Sequence, residues 1–193
     1  LLEKSYNSKL LEQDQLREDA LALGKLCLQL DKPKKAINYL QQANESNERL
    51  ELSIYAWQMQ GRYDRALPLA EKYLASQSQI SDQWLSFMVG ANAEQKRYAQ
   101  AEKWQKRLLA RHPLQVGHWR QLAGIQQMGG DYARSFATLR TAYQQGLKFS
   151  EADLDQLVAL ASAAQQPWQG ARLLESLMQQ GHLPITAARE ERL

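Results

Sequence analysis

Five times along this chain of 193 residues, a turn is followed by an aromatic residue or a proline and, three positions later, by a small residue. The small residues are Ala36, Ala66, Ala101, Ser135 and Ala171, preceded by Pro33, Tyr63, Tyr98, Tyr132 and Trp168. The steps between them are 30, 35, 34 and 36 residues. A sequence that returns to the same pattern near every 34 residues folds as stacked supersecondary units, because one unit is too small to bury its own apolar face. The small side chain is needed where two helices cross closely enough for their backbones to approach. The aromatic or proline is expected to pack into the groove between those helices.

The same period organises what lies upstream of each turn. There, apolar residues recur at helical spacing, as in Trp119, Leu122, Ala123 and Gln126, which predicts a first helix in each unit at 15–29, 48–60, 81–94, 115–128 and 150–164. Five Pro and ten Gly, with few β-branched residues, leave little to interrupt helix. Hydrophobic residues at 44% and charged residues at 23% belong to a globular chain rather than a disordered one.

These residues resemble the tetratricopeptide repeat. The match is fullest from Ala101 through Leu108 and the closing Pro113 to Trp119, Leu122 and Ala123, then to Gly130, Tyr132 and Ser135. Gly24, Ala36 and Ala43 fit the first repeat, and Gly61, Tyr63 and Ala66 the second, so the resemblance spans about residues 15–183. It departs from the pattern at the short first step, at Gln105 and Glu175, where an apolar or aromatic side chain is usual, and at the missing closing prolines. The resemblance implies an all-α fold: a right-handed superhelix, or α-solenoid, of about five helix-turn-helix repeats at 15–46, 47–78, 81–113, 115–147 and 150–183. All of 1–193 is then a single array, with 1–14 and 184–193 as flanking helices of a longer one.

Charge is unevenly spread. The net charge is +3, yet from Lys96 to Arg120 seven Lys or Arg stand against one acid, Glu102, while the remainder has 17 basic residues against 20 acidic ones. At about 100° of rotation per residue, Ala101, Trp104 and Leu108 share a face, and Lys103, Lys106 and Arg107 lie opposite, with Arg111 completing a basic patch. Such a single-sign outer face is ordinary on a solvated helix; the alternative is a surface for an acidic partner segment or anionic lipid headgroups. Nucleic acid fits poorly, because the neighbouring aromatics Tyr98 and Trp104 are needed for packing and are not free to stack on bases.

Catalysis finds no footing. His112, His118 and His182 fall at turns between repeats, and the loop between His112 and His118 holds no carboxylate or thiolate to complete a metal site. Cys27, the single cysteine, excludes an internal disulfide; it lies in the apolar stripe of a helix, with no base beside it. Asp153 and Asp155 sit at the start of a helix, where acids favour the positive end of the dipole, a better account than an acid/base pair. Gly129 and Gly130 form a turn with no strand before it and no Lys-Ser or Lys-Thr after it, so it is no phosphate loop. No cofactor or metal is expected, and no apolar run reaches the roughly 20 residues of a membrane span.

What remains is surface. In the tetratricopeptide pattern the first helix of each repeat lines the concave side. Counting from the small residues gives its outward positions: Glu48, Glu51, Tyr55 and Gln58, then Gln83, Ser86 and Gly90, then Arg120, Gly124 and Gln127, then Asp153 and Gln156. These form the expected protein-binding groove. Repeats that capture a chaperone's C-terminal carboxylate use Lys and Asn at set places on this face. Here those places hold Glu51 with Tyr55, Ser86 with Gly90 and Arg120 with Gly124, so that clamp is absent.

The stretch from His118 to Pro184 is further similar to tetratricopeptide proteins encoded beside the TonB, ExbB and ExbD energy-transduction systems of Gram-negative bacteria. Trp119, Ala142 to Gly146, Leu154 to Leu160, Trp168 and Leu173 to Gly181 carry that similarity. It implies a periplasmic, non-enzymatic protein-protein interaction scaffold, an accessory of TonB-dependent uptake with TonB-system components as partners; a cytoplasmic location is the alternative. Two other readings stay open. One is a structural spacer or oligomerisation segment of a larger envelope or secretion protein, which exposed apolar faces at 1–11 and Leu193 would favour. The other is a basic-patch binder of nucleic acid or anionic lipid.

Overall fold

The computed structural model describes the backbone of residues 2–191 and 193 and the side chains of 13–191 and 193, and regular structure among the described residues is helix alone, in eleven segments. The chain divides into two compact units, Leu1–Ser81 and Asp82–Leu193. In the first, α1 (Leu2–Gln29) pairs with α2 (Pro33–Leu40), and α3 (Asn47–Met59) with α4 (Tyr63–Ala75). In the second, α5 (Asp82–Glu94) pairs with α6 (Tyr98–Arg111), α7 (Val116–Met128) with α8 (Tyr132–Gln144), and α9 (Glu151–Ala163) with α10 (Pro167–Gln179), followed by a single turn of helix, α11 (Ala187–Glu190).

Every hairpin is closed by one device. The residue two positions before the second helix is left-handed: Asp31 (φ 54°), Gly61 (65°), Lys96 (56°), Gly130 (84°) and Gln165 (59°). The next amide reaches back five residues, as in Arg62 N to Trp57 O at 3.0 Å and Asp131 N to Gln126 O at 2.9 Å. Glycine suits this helix ending because it has no Cβ. Asp31, Lys96 and Gln165 adopt it against a steric cost of roughly 1–2 kcal/mol each, so packing overrides local preference there. Helix starts are equally determined. Ser46, Asp131 and Ser150 each accept a bond from the backbone N–H three residues on, and Pro33 and Pro167 occupy a first helical position where no N–H is required.

The small residue sits where the two helices of a hairpin cross. Ala36, Ala66, Ala101 and Ser135 are fully buried, each the fourth residue of its helix. The fifth crossing corrects the expectation by one position: Gly170 takes it, not Ala171. A Cβ at Gly170 would stand 3.0 Å from Ala161 Cβ and 3.3 Å from the Val158 carbonyl oxygen. Pro167 therefore leads the helix, and Trp168, expected in the groove, is 72% exposed. The slip arises because Pro-Trp-Gln-Gly-Ala offers two adjacent pairs at the right spacing, and at this crossing any Cβ would be tighter than ordinary van der Waals contact. Glu175 leaves the core position with it, and Leu174 fills that place, fully buried.

α2 has eight residues where the other second helices have thirteen or fourteen, which accounts for the short first step. In the first unit the core joins Leu28, Ala36, Ile37, Leu40 and Ala56, with Cys27 half-buried beside them. In the second, Phe136, Leu139, Leu157 and Leu160 form one cluster, and Leu154, Val158, Leu174, Leu177 and Leu183 another. Each buried leucine or phenylalanine contributes about 1.5–3 kcal/mol of transfer energy. The apolar face expected at 1–11 lies outside the described side chains, whereas Leu193 is exposed.

Candidate protein-interaction face

On α3, Glu48, Glu51, Tyr55 and Gln58 all face solvent. Two of them are tied to neighbouring helices: Glu48 lies 3.2 Å from Lys25 Nζ of α1, and Glu51 accepts a 2.9 Å bond from the Tyr73 hydroxyl of α4. On α5, Gln83, Ser86 and Gly90 are exposed; on α7, Arg120 is exposed and Gly124 and Gln127 are partly so. A Cβ built on Gly90 or Gly124 meets nothing within 4 Å, so among the described residues no close packing calls for glycine at either place. Each nevertheless costs a helix interior about 1 kcal/mol relative to alanine.

On α9 the one-residue slip moves the face. Asp153, expected to point outward, is buried. Ala152 and Asp155 stand where Gln83 and Ser86 stand on α5, while Gln156 is exposed beside them. Asp153 closes a capping box, accepting 2.9 and 2.7 Å bonds from the amide and hydroxyl of Ser150, and receives Arg120 Nη1 at 3.2 Å. Burial pushes its pKa up, but the Ser150 bonds and the Arg120 charge outweigh that and hold it below the usual carboxylate range. Asp155 receives Arg189 at 2.6 and 3.2 Å. The two pairs have one geometry: the fifth residue of a first helix meets the third residue of the next first helix.

The basic patch is largely occupied within the fold. Lys103, Lys106, Arg107 and Arg111 are all exposed. Lys106 Nζ lies 2.9 Å from Glu102, Arg111 Nη1 lies 2.6 Å from Asp82, and the Arg107 guanidinium sits over the Trp104 ring at 4.8 Å. Among the described residues Lys103 is the member with no such contact. Asp82 also brings a carboxylate to His112, whose Nε2 is 2.6 Å away and whose ring stacks on His118. Bonds from Arg111 and His112 hold Asp82 below its ordinary pKa.

Sequence reasoning missed the acid in this region. Glu102, on α6 and 7% exposed, accepts from Gln126 Nε2 of α7 at 3.2 Å, while Arg134 Nη1 of α8 approaches to 3.1 Å. Thr138 donates to the Gln126 side-chain oxygen at 2.8 Å. Gln105, fully buried, donates to the His118 carbonyl at 2.9 Å. A signal was present: Glu102 follows the small residue directly, where other hairpins place Ile37, Leu67 and Phe136. Burial raises the Glu102 pKa, but bonds from Lys106 and Gln126 with the charges of Lys106 and Arg134 outweigh it, and the net shift is downward.

No family model matches the sequence, and no curated protein matches it. Solved structures do match in fold. A chain of the Naa15/Naa10 complex bound to HypK-THB superimposes with a TM-score of 0.67 at 15% identity over 90% of this chain, which spans 27% of that one. MamA 41-end from Desulfovibrio magneticus RS-1 gives 0.56 at 15% identity, covering 90% of this chain and 98% of its own. MamA of AMB-1 gives 0.56 at 12% identity, with 92% and 96% covered. At these identities the fold alone is shared, and that fold is the tetratricopeptide-like helical repeat.

Proposed function

We propose that this chain is a non-enzymatic scaffold that holds a protein partner against the solvent-facing side of its first helices, as a periplasmic accessory of a TonB-dependent uptake system. The observation that carries the binding role is the pair of mid-helix glycines, Gly90 and Gly124, which weaken their helices without serving any close contact among the described residues. Their use is outward: a partner's backbone can come flush against α5 and α7 at those points. Gln83, Ser86, Arg120 and Gln127 flank them with hydrogen-bonding groups, and Asp153 contributes from below by fixing Arg120. Glu48, Glu51, Tyr55 and Gln58 offer a second such face on α3, and Gln156 extends the face on α9. Positions already fixed by ion pairs lose little freedom on binding. The TonB setting rests on the resemblance of His118 to Pro184. Among the described residues no helix is long and apolar enough to cross a membrane.

Gly90→Arg with Gly124→Arg tests the reading without threatening the fold, because Arg is the better helix former and the space above both glycines is open. The parent, crosslinked in an envelope fraction, is expected to retain TonB, ExbB or ExbD, and the double variant to lose them with helicity unchanged. Retention by the variant would move the site off this face. No TonB-system component on the parent would remove the proposed setting.

A further inference from the structure

Where α6 and α8 begin, an open cleft of about 400 Å³ runs between them, closed beneath by Ile125, Gln126 and Gly129 at the end of α7. Three exposed cations line it: Lys96, Arg97 and Arg134. Its two carboxylates are already answered. Lys106 Nζ and Arg134 Nη1 lie 2.9 and 3.1 Å from Glu102, and Arg134 Nε lies 2.6 Å from Asp131. With Lys106 counted, four cations stand against two acids.

Lys96 and Arg97 hold places where local structure disfavours them. Lys96 is left-handed (φ 56°), in the place that Gly61 and Gly130 take in two other hairpins. Arg97 is the N-cap of α6, makes no side-chain cap bond, and precedes a first turn without an acid, although a helix start repels positive charge. At that place on α8, Asp131 accepts from the Arg134 amide at 2.9 Å. Lys32 and Arg62 cap α2 and α4 no better, but the left-handed residue before them is an acid or a glycine, and Arg62 is turned onto Asp64 at 2.9 and 2.8 Å. Of the five hairpin turns, only this one sets cations at both places.

We propose that this cleft seats an acidic segment of a protein partner, its carboxylates held by Lys96, Arg97 and Arg134. The site shares no residue with the face around Gly90 and Gly124. Its mixed lining selects a peptide. Phosphates of nucleic acid or lipid bring acceptors and negative charge alone, and Glu102 and Asp131 oppose both; a peptide brings carboxylates for the cations and backbone N–H groups for the acids.

Fluorescence anisotropy of the full chain with fluorescein-labelled octaglutamate, at low and physiological ionic strength, tests the site. Lys96→Gly with Arg97→Ser supplies the residues that the turn and the N-cap prefer, so this variant should melt at or above the parent's temperature. It is expected to bind at least about tenfold more weakly, and Lys96→Gly alone about threefold. Lys148→Ser with Arg172→Ser, which removes the same charge from elsewhere in the unit, should stay within about twofold of the parent. No binding by the parent at low ionic strength overturns the proposal, as does an equal loss in the Lys148 and Arg172 variant. Tighter binding of labelled oligothymidylate or of phosphatidylserine vesicles, lost with Lys96→Gly and Arg97→Ser, would overturn the peptide assignment in favour of phosphate.

Discussion

Into its seam with α7, α6 places polar side chains, whereas into its seam with α9, α8 places apolar ones. The contrast sits at equivalent positions. One residue after the crossing stands Glu102 in the first seam and Phe136 in the second; four residues after it stand Gln105 and Leu139. All four are buried. A repeat therefore fixes how closely backbones cross but leaves open what fills the seam. The apolar seam is held by area removed from water, and any similar volume would serve it. The polar seam is held by groups that must find particular partners, so it specifies its neighbour and is intolerant of a single missing member.

The largest effect should come from the apolar seam. Phe136→Ala is expected to lower stability by about 3–5 kcal/mol in denaturant unfolding, through lost transfer energy and a cavity; a cost under about 1 kcal/mol would mean that this seam is not a packed core. Glu102→Leu should cost less, about 1–3 kcal/mol, because the buried Gln126 amide loses its acceptor. Adding Gln126→Leu should then recover at least half of that loss, converting the polar seam toward its apolar counterpart; a further loss would show that the bonds do not act as one network. The smallest effect, below about 1 kcal/mol, concerns pH. Glu102 and Asp153 have folded pKa values depressed below their unfolded ones, so their contribution is present above the ordinary carboxylate range and lost as pH falls through the depressed values. Melting temperatures between about pH 3 and pH 7 should show that loss, with a shallower slope for Glu102→Gln and an unchanged slope for Phe136→Ala.

The helical-repeat fold was legible because it depends on features that a sequence carries locally: the period, the small crossing residues and the 3.6-residue apolar pattern. What escaped depends on contacts between distant residues. Gly170 and Ala171 satisfy the spacing equally well, and only the 3.0 Å approach to Ala161 separates them. That single residue also moves Asp153 from the expected outward face into the interior. In the sequence Glu102 is one acid among cations, since its partners Gln126 and Arg134 lie 24 and 32 positions away. The exposed positions on α3, α5 and α7 follow from counting back from the small residue of the same hairpin, which the short first step leaves unchanged.

The ion pairs between successive first helices bear on how such an array can grow. Arg120 meets Asp153, and Asp155 meets Arg189, so the same geometric place carries opposite polarity one hairpin further on. A tandem duplication of the fifth hairpin would set Asp155 of one repeat beside Asp153 of the next, two carboxylates where the chain now has a pair. A duplicated fourth hairpin would face Arg120 with His118. Hairpins built on one pattern of helix and turn are thus not interchangeable parts: their order is written into charge, and recombination that changes the order must change these residues too.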